Sequence, residues 1–103
     1  MTCTYTFTVR NSNGRCELVE ERIDPAGRKK TTVYSGALKK IVYGPGVKTE
    51  YYAKKAPDGK CCVYQQDFRQ VPGGWATSGS EKGPLFCEGG APVTFQADCN
   101  VWG

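Results

Sequence analysis

Cys3-Thr4-Tyr5-Thr6-Phe7-Thr8-Val9-Arg10 decides the fold. Cys3, Tyr5, Phe7 and Val9 fall on one side of a two-residue repeat, and Thr4, Thr6, Thr8 and Arg10 fall on the other. That period belongs to a half-buried strand, and threonine suits its wet face. Asn11-Ser12-Asn13-Gly14 follows. Asn-Gly is the strongest short hairpin signal, because both central residues of the tight turn need positive φ. Arg15–Ile23 then reads as the returning strand, with Cys16 and Leu18 on one face. A helix over Glu17–Arg22 competes with that reading, but Asp24-Pro25-Ala26-Gly27 cuts it short.

The same logic extends along the chain. Lys29–Ser35, Leu38–Tyr43, Val47–Lys54 and Cys61–Gln70 read as strands, separated by Gly36, Gly44-Pro45-Gly46 and Asp58-Gly59. Glycine supplies positive φ at such separators, and proline presets the first turn position. In the last strand Val93, Phe95, Ala97, Cys99 and Val101 alternate with Thr94, Gln96, Asp98 and Asn100. Pro72–Pro92 is rich in glycine and serine and reads as an irregular loop at about 72–92, ordered by Cys87. The sum is one all-β domain over residues 1–103. It is expected to be a small disulfide-stapled antiparallel β-barrel or β-sandwich of about six or seven strands.

Cys3, Cys16, Cys61, Cys62, Cys87 and Cys99 are an even set in a short chain, which reads as three disulfides formed in an oxidising compartment. On a strand, Cys61 and Cys62 point to opposite faces, so one bridge leaves from each face. One runs across the core or to a packed partner strand, the other outward to a covering loop or terminus. The Cys87 region and a terminal strand are the expected partners. Structural zinc is disfavoured, since there is no C-x2-C pair and no histidine. No apolar run is long enough to span a bilayer. No leader is visible either, and Met1 is read as standing where one was removed.

The absence of histidine removes the side chain most used for acid–base work near neutral pH, and with it triad-type nucleophilic catalysis. Phosphate-loop and dinucleotide glycine motifs are missing. Carboxylates such as Glu17, Glu20, Glu50, Asp67 and Glu81 sit among polar neighbours and read as solvated face. No catalytic residue, metal ligand or cofactor is expected. Charge is uneven: residues 1–60 carry twelve Lys or Arg against six acids, residues 61–103 two against four. Lys29-Lys30, Lys39-Lys40 and Lys54-Lys55 interleave with Tyr34, Tyr43, Tyr51 and Tyr52. Such a pattern fits single-stranded nucleic acid. A doublet on a strand puts only one lysine on each face, however, and lysine on exposed strands also guards against edge-to-edge aggregation. Nucleic acid is therefore not the expected partner. Tyr51 and Tyr52 face opposite ways, so one lies outside the main core. Trp75, after Gly73-Gly74, reads equally as a binding anchor or as the lid of the core. Trp102 reads as packing at a sheet edge or as frayed. The candidate binding residues are Trp75, Tyr51, Tyr52, Lys54 and Lys55.

In length and in its Cys3-Thr4-Tyr5 start the chain resembles the small secreted fungal guanyl-specific ribonucleases. Those use histidine with glutamate, so the likeness carries no activity here. As a whole, the cysteine-rich β pattern resembles the small secreted proteins that fungi export toward hosts and competitors: effectors, elicitors and killer toxins. It is also loosely similar to the β-barrel family of the major Alternaria allergen, whose members are exported, disulfide-bonded and often dimeric. These resemblances imply a secreted, non-enzymatic protein that binds a protein or glycan on another cell, with a homodimer as one expected state. A secreted protease inhibitor presenting Val71–Glu81 is one alternative. A binder of RNA, acidic glycan or lipid headgroups through the lysine doublets is another.

Overall fold

The computed structural model describes residues 1–35 and 39–99. The expectations for Gly36, Leu38, Val101 and Trp102 lie outside the described residues.

The opening alternation holds in space. Strand β1 (Thr2–Ser12) buries Cys3, Tyr5, Phe7 and Val9. It turns at Asn13-Gly14, where both residues have positive φ (53° and 83°), as a primed turn requires. Strand β2 (Arg15–Ile23) returns antiparallel, in register from Ser12 against Arg15 to Thr4 against Ile23. The competing helix over Glu17–Arg22 is therefore ruled out. Strand β3 (Lys29–Ser35) follows the Asp24–Gly27 turn, in which the Asp24 side chain accepts hydrogen bonds from the backbone N–H of Ala26 and Arg28. Strands β4 (Lys40–Gly44), β5 (Val47–Lys55) and β6 (Cys61–Val71) form an antiparallel meander.

Pro72–Pro92 departs from expectation. It is not an irregular loop. Strand β7 (Gly74–Thr77) pairs with the C-terminal part of β6, and β8 (Lys82–Cys87) pairs with its N-terminal part. Alternation failed as a signal here because β7 and β8 are short, glycine- and proline-containing edge pieces whose pairing is fixed by β6. Strand β9 (Val93–Asp98) then pairs with β1. The described residues hold nine strands, more than the six or seven expected.

Two sheets result, with orders β3-β2-β1-β9 and β4-β5-β6-β7, and β8 lies beside β6 in the second. They stack as a sandwich; among the described residues no closed barrel forms. The core joins Cys3, Tyr5, Phe7, Val9 and Leu18 from the first sheet to Cys61 and Val63 from the second. Phe95 stacks on both Tyr5 and Phe7, with centroids 5.6 Å apart in each case. Among the described residues no helix is long and apolar enough to cross a membrane.

All six cysteines are bridged: Cys3–Cys99, Cys16–Cys61 and Cys62–Cys87. The two adjacent cysteines do serve opposite faces of β6. Cys61 reaches through the core to β2, and Cys62 joins its direct cross-strand partner on β8. Cys87 is thus a partner as expected. The terminal strand is not, because Cys3 and Cys99 tie the two ends to each other. The bridges span 96, 45 and 25 residues. Loops of such lengths imply roughly 3–5 kcal/mol of stabilisation each on a chain-entropy account.

Two carboxylates read as solvated face are in fact buried. Glu20 on β2 and Lys40 on β4 are both 7 % exposed and form an ion pair of 2.9 Å between the layers. The Tyr34 hydroxyl donates to the other Glu20 oxygen at 3.5 Å. Burial first, then the Glu20 charge, pushes that phenol up to about 12. Glu50, 8 % exposed, meets Lys39 at 3.0 Å and Lys48 at 3.5 Å. Asp67 gathers hydrogen bonds from Gln65, Lys82 and Thr49, which hold its carboxyl below the usual carboxylate range.

Removing one member of a buried pair strands the other charge in a poorly solvating interior, which costs about 3–5 kcal/mol. Glu20→Gln should lower unfolding stability by that much in urea titration. Glu20→Leu combined with Lys40→Met should recover most of the loss. A double variant no better than the single would show that the pair contributes more than mutual neutralisation.

Candidate functional site

On β4, β5 and β6 every second side chain points away from the core. The outward set is Ile41 and Tyr43; Lys48, Glu50, Tyr52 and Lys54; and Cys62, Tyr64, Gln66, Phe68 and Gln70. Trp75 joins this face through its pairing with Gln70. The outer surface of the second sheet is therefore an aromatic field threaded with lysine.

The field has two stations. At the first, the Lys48 ammonium lies 4.9 Å from the Phe68 ring centre and 5.1 Å from that of Trp75. Tyr43 tilts against Trp75 at 6.3 Å. Tyr43 is 63 % exposed and Trp75 37 %, so both rings present surface while their edges are held. At the second station Tyr52 stacks on Tyr64 at 6.4 Å. Lys54 sits 4.6 Å from the Tyr64 centre, and Lys39 sits 5.4 Å from that of Tyr52. Glu81 closes this station, accepting from the Tyr52 hydroxyl and from Lys54, the latter at 2.7 Å. Tyr64 is buried beneath Gly83, where a Cβ would come within 2.6 Å of the ring. Lys48 and Tyr52, like Phe68 and Tyr64, are four residues apart on one strand, which sets the stations about 13 Å apart.

A polar recess of about 470 Å³ opens beside the second station, lined by Lys54, Lys55, Ala56, Pro57, Tyr64, Glu81, Gly83 and Pro84. Lys55 lies at the exposed end of β5 and reaches this rim with no carboxylate partner among the described residues. The other lysines are engaged: Lys39 and Lys48 with Glu50, and Lys54 with Glu81. The face is thus an aromatic surface whose cations are largely neutralised, unlike a groove built to track a polyanion.

Four of the five candidates named from sequence meet here: Trp75, Tyr52, Lys54 and Lys55. Tyr51 does not. It faces inward against the main core, and burial raises its hydroxyl pKa. Trp75 is no lid on the core, because its ring stands on the outer face. Tyr43, Lys48, Phe68 and Tyr64 were not singled out as site residues. Counting by twos along β4, β5 and β6 from Tyr52 would have found them. Val71–Glu81 is not a projecting loop either, since it is strand-paired through Thr77. Among the described residues no group of three His, Cys, Asp or Glu side chains converges as metal ligands would.

No family model matches the chain, and neither does any curated protein or solved structure.

Lys48 is held by two rings and a carboxylate, so Lys48→Ala should cost about 1–2 kcal/mol of unfolding stability. Tyr43→Ala, at an exposed position, should change stability by less than about 0.5 kcal/mol. Chemical denaturation of the two variants checks this. Equal costs would show that Tyr43 is a structural residue and not a presented one.

Proposed function

We propose that this protein is exported and acts by binding, without catalysis, and that the outer face of its second sheet grips a protein or glycan on another cell. The observation that carries this reading is the cluster of Tyr43, Lys48, Phe68 and Trp75, in which Phe68 and Trp75 flank one cation and the exposed Tyr43 ring tilts against Trp75. Trp and Tyr are the side chains that most often dominate recognition surfaces. Holding them on strands lowers the ordering cost of association. Export is supported by three disulfides, a chemistry that persists in oxidising compartments. An effector or toxin-like role is the one the cysteine-rich resemblance implies. Binding of RNA or acidic glycan is the weaker reading, because Glu50 and Glu81 offset the lysines of this face.

The test is capture from cell-surface extracts, run before and after enzymatic deglycosylation, with the oxidised protein and with Tyr43→Ala/Trp75→Ala. Capture should fall at least tenfold in the double variant and change little between low and moderate salt. The deglycosylated arm separates a protein target from a glycan. Equal capture by both forms removes this face as the binding site. Capture that collapses with salt transfers the role to the lysines.

A further inference from the structure

A second concavity lies on the other side of the same sheet, between the two layers. The layers pinch together at Cys16–Cys61, where the Cα atoms are 5.3 Å apart, against roughly 10 Å for stacked sheets. Away from that clamp they leave a cleft of about 390 Å³. Its walls are Phe7, Leu18, Val63, Phe86 and Phe95. Leu85 and Val93, 46 % and 40 % exposed, also line it and mark its mouth, between β8 and β9. Interiors normally pack without voids, and apolar walls offer water few hydrogen bonds. A cleft of this size falls in the range of small-molecule sites, which are mostly apolar with a few placed polar groups.

Those polar groups restrict the occupant. Lys40 borders the cleft, but its charge is met by Glu20 at 2.9 Å. Lys82 and Asp67, close by, neutralise each other at 3.1 Å. A charged ligand would find no uncompensated opposite charge and would lose its hydration. Two neutral groups remain. Tyr51 lines the cleft and its hydroxyl has no partner among the described residues. Gln65 donates its amide N–H to Asp67 at 2.9 Å, leaving its carbonyl oxygen open. We propose that this cleft binds a small, uncharged, mainly apolar molecule that carries one hydrogen-bonding group, such as a hydroxyl, to meet Tyr51 or Gln65.

Titration of the full oxidised chain with N-phenylnaphthylamine, an uncharged fluorophore, tests the proposal, with its sulfonated analogue as the charged comparison. Saturable binding of one uncharged probe per chain is expected, at least tenfold tighter than the anion. Chemical-shift changes should centre on Phe7, Val63, Phe86 and Phe95. Leu85→Trp and Val93→Trp, which add bulk at the mouth, should each weaken binding at least tenfold. The shift map on the unaltered chain decides if either variant misfolds. No saturable binding, equal or tighter binding of the anion, or shifts centred on Tyr43 and Trp75 would overturn the proposal. So would sedimentation showing that the chain self-associates and excludes the probe as it does, because a second copy would then cover the mouth. The shift map separates this cleft from the outer face, so either site can fail alone.

Discussion

Two adjacent cysteines on one extended strand constrain the whole molecule. Because β6 is pleated, Cys61 must point into the sandwich and Cys62 out of it. The inward bridge clamps the second sheet to β2, and the outward bridge fixes β8 beside β6. Backbone hydrogen bonding reinforces the junction: Glu88 N–H donates to the Cys61 carbonyl at 2.8 Å, and Cys61 N–H donates to the Glu88 carboxylate at 2.7 Å. With β8 in place, Gly83 covers Tyr64, and Glu81 reaches Tyr52 and Lys54. The same strand carries Phe86 into the cleft between the layers. The second station of the outer face and the cleft between the layers both depend on where β8 lies.

Charge is handled consistently across the structure. The chain carries a net +4, yet Lys39, Lys40, Lys54 and Lys82 each meet a carboxylate on another segment or strand, and Lys48 meets Glu50 two residues along its own strand. Where the pair is buried, neutralisation makes burial tolerable. Where it is exposed, the individual pairs contribute little to stability. Their effect there is to leave the second sheet's outer face aromatic in character and not strongly cationic. Specificity on such a face rests on ring placement and shape more than on long-range attraction.

The sheet scaffold was legible wherever one face of a strand is apolar and the other polar. β1 announced itself through Cys3, Tyr5, Phe7 and Val9, and the Asn13-Gly14 turn fixed its partner. β7 and β8 were not legible, since Gly74, Gly83 and Pro84 erase the alternation and the pairing is imposed from β6 across the chain. Glu20 and Lys40 were misread for a related reason. A charged residue in an alternating strand looks solvated until its opposite number, twenty residues away, arrives on the facing layer. At the outer face, Tyr52, Lys54, Lys55 and Trp75 stood out by type. Phe68 and Tyr64 did not, because on local pattern a ring in β6 reads as core, and only the assembled sheet shows which side it takes. Tyr51 and Tyr52 were known to face opposite ways, but alternation alone did not say which one faces the core, and it is Tyr51.

The pairing of Cys61 and Cys62 to different partners is the claim on which this account stands, and disulfide assignment tests it directly. Partial reduction of the untreated protein, alkylation at each stage and mass-spectrometric sequencing should yield Cys3–Cys99, Cys16–Cys61 and Cys62–Cys87. Exchange of partners between Cys61 and Cys62, a Cys61–Cys62 bridge, or free thiols at these positions would contradict the placement of β8 and, with it, the second station of the outer face and the cleft between the layers.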